Sequence, residues 1–291
     1  MPTFTQRFRP IALVLSICAI QALAACGGGG GGAASSASSS GTTATTTGSS
    51  GTTTAGGSGT TTTGGSSGGS TSTTGGAVAV VAHTIEVNTY GSGTSPMTTP
   101  AITTPASGSL ILVQVLTGHE PTFAGLSDDK GNHYIEIGGP QTYAGGAGSY
   151  LFACANAAGG AGHTWTLTKA SGYGSDEATI YVVVLAGASG VGSWSYSGTS
   201  AYSGTPIATT AANSMVVSFW GPADYTGAVN TYTPPAGWTK GDSNIHSANE
   251  NTGADAWKTV AKSGTTVNAT WTAATAITDP TGSMWLVEAR P

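Results

Sequence analysis

Every residue from Gly27 to Gly76 is glycine, alanine, serine or threonine. Such a stretch has no side chain large enough to build a core, so nothing offsets the entropy of ordering its backbone. It divides the chain. Whatever folds must lie in residues 77–291, and the fifty residues before it are expected to form a disordered tether with a root-mean-square span of about 40 Å. Gly27, Gly29 and Gly32 match G-x-G-x-x-G, and Gly64, Ser66 and Gly68 match G-x-S-x-G. Neither has the strand and helix its chemistry requires, so both are set aside as matches of low-complexity sequence.

Residues 1–25 explain the tether. Arg7 and Arg9 form a basic head, and the 15 residues Ile11 to Ala25 are apolar except for Ser16 and Gln21. A membrane-spanning helix needs about 20 apolar residues, so this run reads as a signal peptide. Leu23-Ala24-Ala25-Cys26 resembles the lipobox of bacterial lipoproteins. That resemblance implies cleavage before Cys26 and lipidation of its thiol, with palmitate among the acyl chains. More than one acyl chain gives stable anchoring. Gly27 stands where the inner-membrane retention signal would place Asp, which implies an outer-membrane, extracytoplasmic lipoprotein.

The remaining 215 residues carry thirteen acids and six bases. Nucleic acid is excluded as a partner because no basic stripe exists to neutralise phosphates. Charged residues are far below the usual quarter of a globular domain, so the surface must be built from hydroxyls, amides and backbone. Cys154 is the domain's single cysteine. It lies in the apolar run Tyr150-Leu151-Phe152-Ala153 and is expected to be a buried thiol.

Short β-branched and aromatic runs recur along the domain, at 110–116, 149–155, 164–168, 179–185, 215–220, 256–261, 267–272 and 284–289. Gly, Asn, Asp and Pro separate them, and no helical period appears. The expected class is all-β, an antiparallel sandwich of jelly-roll type. An internal repeat refines it. Ser109-Leu110-Ile111-Leu112-Val113 recurs as Ser214-Met215-Val216-Val217-Ser218, Phe152 matches Trp257, Trp165 matches Trp271, and Tyr181 matches Trp285. Offsets of 104 to 106 residues join all four, so two related halves, about 77–190 and 191–291, are expected to close on each other. Matched aromatics are expected to be core.

Three further segments, 108–116, 126–138 and 282–291, resemble those of secreted bacterial jelly-roll β-sandwich modules. The resemblance includes D-x-x-G-N-x-Y, placed here on Asp129, Gly131, Asn132 and Tyr134. Read physically, this motif is a turn with positive φ at glycine.

Function is expected where the halves differ. Residues 137–150 are small and neutral, whereas their counterpart 242–255 gathers Asp242, Asn244, His246, Asn249, Glu250, Asn251 and Asp255. With Trp238 just before it, this stretch is the expected ligand loop, and calcium held by Asp242, Glu250 or Asp255 is the one cofactor considered. Trp194, Tyr196, Tyr225 and Trp238 are candidate stacking platforms for sugar rings. No carboxylate pair, serine triad or zinc motif with the required spacing appears, so no catalytic residue is assigned. Two functions remain. One is a tethered module that binds a glycan or other neutral polymer, and the other is an adhesive scaffold that binds proteins or itself.

Overall fold

A computed structural model describes residues 77–224, 229–245, 251–277 and 279–291. The expected signal peptide, Cys26 and the expected tether fall outside the described residues. Among those described, none belongs to an α-helix, and no helix is long and apolar enough to cross a membrane.

The first half contains β1 (Ala79–Asn88), β2 (Met97–Thr98), β3 (Ser109–Thr117), β4 (Phe123–Asp128), β5 (Ile135–Glu136), β6 (Gln141–Tyr143), β7 (Ala147–Ala157), β8 (Trp165–Lys169) and β9 (Ala178–Ala186). The second contains β10 (Gly190–Ser197), β11 (Ile207–Ala208), β12 (Ser214–Pro222), β13 (Tyr232–Thr233), β14 (Thr239–Asn244), β15 (Gly253–Val260), β16 (Thr266–Val267), β17 (Thr272–Ala273) and β18 (Gly282–Arg290). One large antiparallel sheet has the order β1-β9-β3-β7-β5, with β6 also on β7, and the other has β10-β18-β12-β15-β14. The two orders follow the same path through the chain, which is the expected repeat seen as topology.

The two large sheets stack face to face, with β1 against β14 and β10 against β7. Their inner faces share a core of Leu110, Leu112, Leu116, Tyr181 and Val183 from one half and Val217, Phe219, Trp285 and Val287 from the other. The halves therefore close on each other as expected, with one addition. Each large sheet is also covered on its outer face. Met97, Trp165 and Leu167 of the small β2-β8-β4 sheet pack on Ile111, Val113 and Val115. In the second half the pairs β11-β16 and β13-β17 bring Ile207, Val267 and Tyr232 onto Val216, Trp220 and Leu286. Four layers and three cores result. This is why all nine residues of β3 and of β12 are buried. A strand covered on both faces shows a continuous run in place of alternation.

Two of the three matched aromatic pairs occupy corresponding places. Trp165 and Trp271 lie in the two outer cores, and Tyr181 and Trp285 lie in the inner one. The third pair is corrected. Phe152 opposes Val113 in an outer core, while Trp257 opposes Val217 and packs on the inner core. Paired positions make Ala153 the counterpart of Trp257. A one-residue slip turns a side chain to the opposite face. Cys154 is buried in the first outer core.

The turn motif is also shifted by one residue, because Asp128, not Asp129, organises it. Asp128 Oδ1 accepts the backbone N–H groups of Lys130 and Asn132 at 3.1 and 2.9 Å. Its Oδ2 accepts Asn132 Nδ2, the Tyr134 hydroxyl and His163 Nε2 at 2.7, 2.7 and 3.0 Å. Trp165 Nε1 donates to the Tyr134 oxygen at 2.6 Å, and His163 Nδ1 lies 3.0 Å from the Thr104 hydroxyl. Burial works against the charge, yet these donors hold Asp128 below the ordinary carboxylate range. Gly131 has φ of 74°, as the turn requires. Asp129 instead accepts the Thr164 N–H and pairs with Lys130.

Candidate functional site

The described residues of the expected ligand loop are mostly strand. Asp242 and Asn244 belong to β14 and Asp255 to β15, which pair as a hairpin. His246, Asn249 and Glu250 lie outside the described residues. Asp255 is corrected from loop ligand to core residue. It is 0 % exposed, opposes Phe219, and its Oδ1 accepts the Asp242 N–H at 2.8 Å. Burial, with the charge of Asp242 added, pushes its carboxyl well above the ordinary range. Asn244 is also buried, and its Nδ2 donates to the Asn251 carbonyl at 3.2 Å. Asp242 is the exception, since its Oδ2 lies at the surface 2.8 Å from His83 Nδ1 on β1.

Trp238 does not offer a free ring. It packs on the second outer core, and Lys258 Nζ lies 5.9 Å from its centroid. Tyr196 packs on the inner core and donates its hydroxyl to the Thr142 carbonyl at 3.2 Å. Tyr225 is outside the described residues. Among the described residues, no group of three His, Cys, Asp or Glu side chains is placed for a metal ion.

Trp194 is different. It is 39 % exposed, and its position follows from the repeat. His83 opposes Val183 on β9 and Trp194 opposes Val287 on β18, so the two are counterparts at opposite seams between the large sheets. At one seam His83 reaches Asp242. At the other, Trp194 lies over Gly138, where an added Cβ would come within 2.8 Å of the indole. Gly138 also has φ of 73°, so glycine is needed there twice over. The indole leans on Trp285 with centroids 6.0 Å apart, and Gln141 Nε2 donates to the Gly138 carbonyl at 2.9 Å. The result is a half-exposed aromatic on a glycine ledge, braced from beneath.

A second polar cluster was not anticipated. Thr117 opposes Ala178 at the ends of β3 and β9, so Gly118-His119 and Asp176-Glu177 emerge side by side. Gly118 N–H donates to the Glu177 carbonyl at 3.1 Å. His119 Nδ1 lies 3.2 Å from both Asp176 carboxylate oxygens, and the Thr122 hydroxyl donates to Oδ2. Burial opposes ionisation of Asp176, but hydrogen bonds from Thr122, Glu177 and His119 keep it below the ordinary range. Burial, reinforced by Asp176, pushes Glu177 up to about 7. Beside them Lys169 is only 5 % exposed, with Nζ 3.0 Å from Asn88 Oδ1, 2.5 Å from the Asp176 carbonyl and 3.5 Å from the Gly174 carbonyl. The one sequence signal was position, since His119 closely follows one predicted strand and Asp176 shortly precedes another. Their pairing was not visible.

Compared with protein-family models, curated proteins and solved structures, the chain matches none.

Proposed function

We propose that this chain is an outer-membrane lipoprotein whose tethered, extracytoplasmic β-sandwich binds a neutral polymer, a glycan above all, on the ledge around Trp194. The observation that carries this reading is the 39 % exposure of Trp194 in a domain whose other tryptophans are more deeply packed. An apolar ring held rigid at the surface offers stacking area at little entropic cost, and its quadrupole suits the C–H faces of sugars. The low charge of the domain agrees with an uncharged ligand. The alternative, adhesive assembly through sheet edges, is disfavoured by bulges. Pairing is irregular at Val80/Ala82 in β1, Val191/Trp194 in β10 and Lys240/Ser243 in β14. Bulged edges pair poorly with other chains.

Titrating the full chain with soluble neutral polysaccharides, read by tryptophan fluorescence, tests the site. Wild type is expected to saturate, and Trp194→Ala to bind about tenfold or more weakly, as loss of a buried aromatic anchor implies. Trp238→Ala should bind like wild type. Equal affinity of wild type and Trp194→Ala contradicts the site, and self-association without sugar favours the adhesive reading. The anchor is tested separately. Cys26→Ala is expected to lose palmitate label and membrane association, and unchanged membrane association without label in either form would remove the lipoprotein reading.

A further inference from the structure

Lys169 ends β8 and Asn88 ends β1, so their contact joins the two sheets of the first sandwich. Asn88 Oδ1 also accepts the Thr94 N–H at 2.7 Å, which fixes the orientation of the amide. We propose that Lys169 and Asn88 form an intramolecular isopeptide bond. The neutral Lys169 amine attacks Asn88 Cγ, an Nζ–Cγ bond forms, the Cγ–Nδ2 bond breaks, and nitrogen leaves as ammonia carrying one proton from the amine. Nothing is oxidised or reduced, and no co-reactant is needed.

The surroundings supply what the step requires. The 3.0 Å contact between Nζ and the amide oxygen holds the amine against the amide, one bond away from Cγ. The Thr94 N–H points at the oxygen that gains charge in the tetrahedral intermediate. Asp176 and Glu177 both act electrostatically on Lys169, whose Nζ also donates to the Asp176 carbonyl, and Glu177, pushed up to about 7, can exchange a proton near neutral pH. Burial lowers the proton affinity of the Lys169 amine, which favours its nucleophilic form.

The bond also suits its place in the chain. β1 is an edge strand held laterally by β9 and is the first strand after the glycine-rich segment. Tension arriving along that segment would peel β1 from Ala79 onward, and a covalent link at Asn88 stops the peeling. Cys154 is the domain's single cysteine, so no disulfide within the domain can serve instead. The second half has Thr275 at the place corresponding to Lys169, so the linkage belongs to the half that follows the tether.

The test is mass spectrometry of the purified full chain, unfolded and digested. The expected product is one cross-linked fragment holding residues 88 and 169, lighter than its two pieces by one ammonia. Lys169→Arg and Asn88→Ala should each give two separate, unlinked pieces. Separate pieces of unaltered mass from the wild-type chain overturn the proposal, whatever the variants do. If either variant fails to accumulate, the wild-type digest decides alone.

Discussion

Replacing Glu288 with alanine is expected to cost about 3–5 kcal/mol of stability, since it strips a buried charge from donors built around it. Glu288 sits toward the C-terminal end of β18 and is fully buried. Its oxygens accept the N–H groups of Ser193, Thr210 and Ala211 at 3.0, 2.8 and 3.1 Å. The hydroxyls of Thr210 and Ser214 add bonds at 2.8 and 2.7 Å. One carboxylate thereby ties the turn before β12 and the bulge of β10 to the central strand. Although burial opposes the charge, these donors hold the group down at about 2. A carboxyl depressed in the folded state adds stability above its unfolded value and loses it as pH falls toward the folded one. Urea unfolding of wild type and Glu288→Ala should therefore differ most near neutral pH. The gap should shrink from about pH 4.5 down to about 2. Glu288→Gln, which keeps the shape, should cost less than alanine.

Asp128→Ala is expected to be comparably damaging, at about 3–5 kcal/mol, or roughly 10 °C in Tm for a domain of this size. Removal leaves His163, Tyr134 and Asn132 without the acceptor they share, and His163 is fully buried. Buried donors without partners cost more than the bond they lost. Asp129→Ala is the control. Asp129 is exposed, and its ion pair with Lys130 is of the surface kind worth about 1 kcal/mol or less. Melting curves of the two variants should separate clearly. Similar curves would show that Asp128 does not organise the turn.

Much of the fold was legible because the central strands are long and apolar. Leu110 to Leu116 and Ile180 to Leu185 could only be strands in a chain without helical period, and their recurrence about 105 residues on revealed the duplication. The outer layers were not legible. β2, β11, β13, β16 and β17 have two residues each, too few for any period to appear. Register was lost because the stretch from Leu112 to its partner Ala153 is one residue longer than that from Val217 to Trp257, so Phe152 and Trp257 were matched one place apart.

The candidate site was read less well. Composition cannot separate an exposed aspartate from a buried one, and Asp255 looked like its neighbours until β15 placed it opposite Phe219. Trp194 was visible as an aromatic, but its exposure depends on Gly138, which the β5–β6 connection brings to a seam between the halves. His119, Asp176, Lys169 and Asn88 come from four separate segments, and sheet pairing alone unites them.

The central claim is that ligand binds at the Trp194 seam. Hydrogen–deuterium exchange of the full chain, with and without a saturating neutral polysaccharide, tests it most directly. The account predicts slowed exchange in residues 138–142 and 190–197 and little change in 239–245. Protection confined to the β14–β15 hairpin, or none with any polysaccharide, would contradict it.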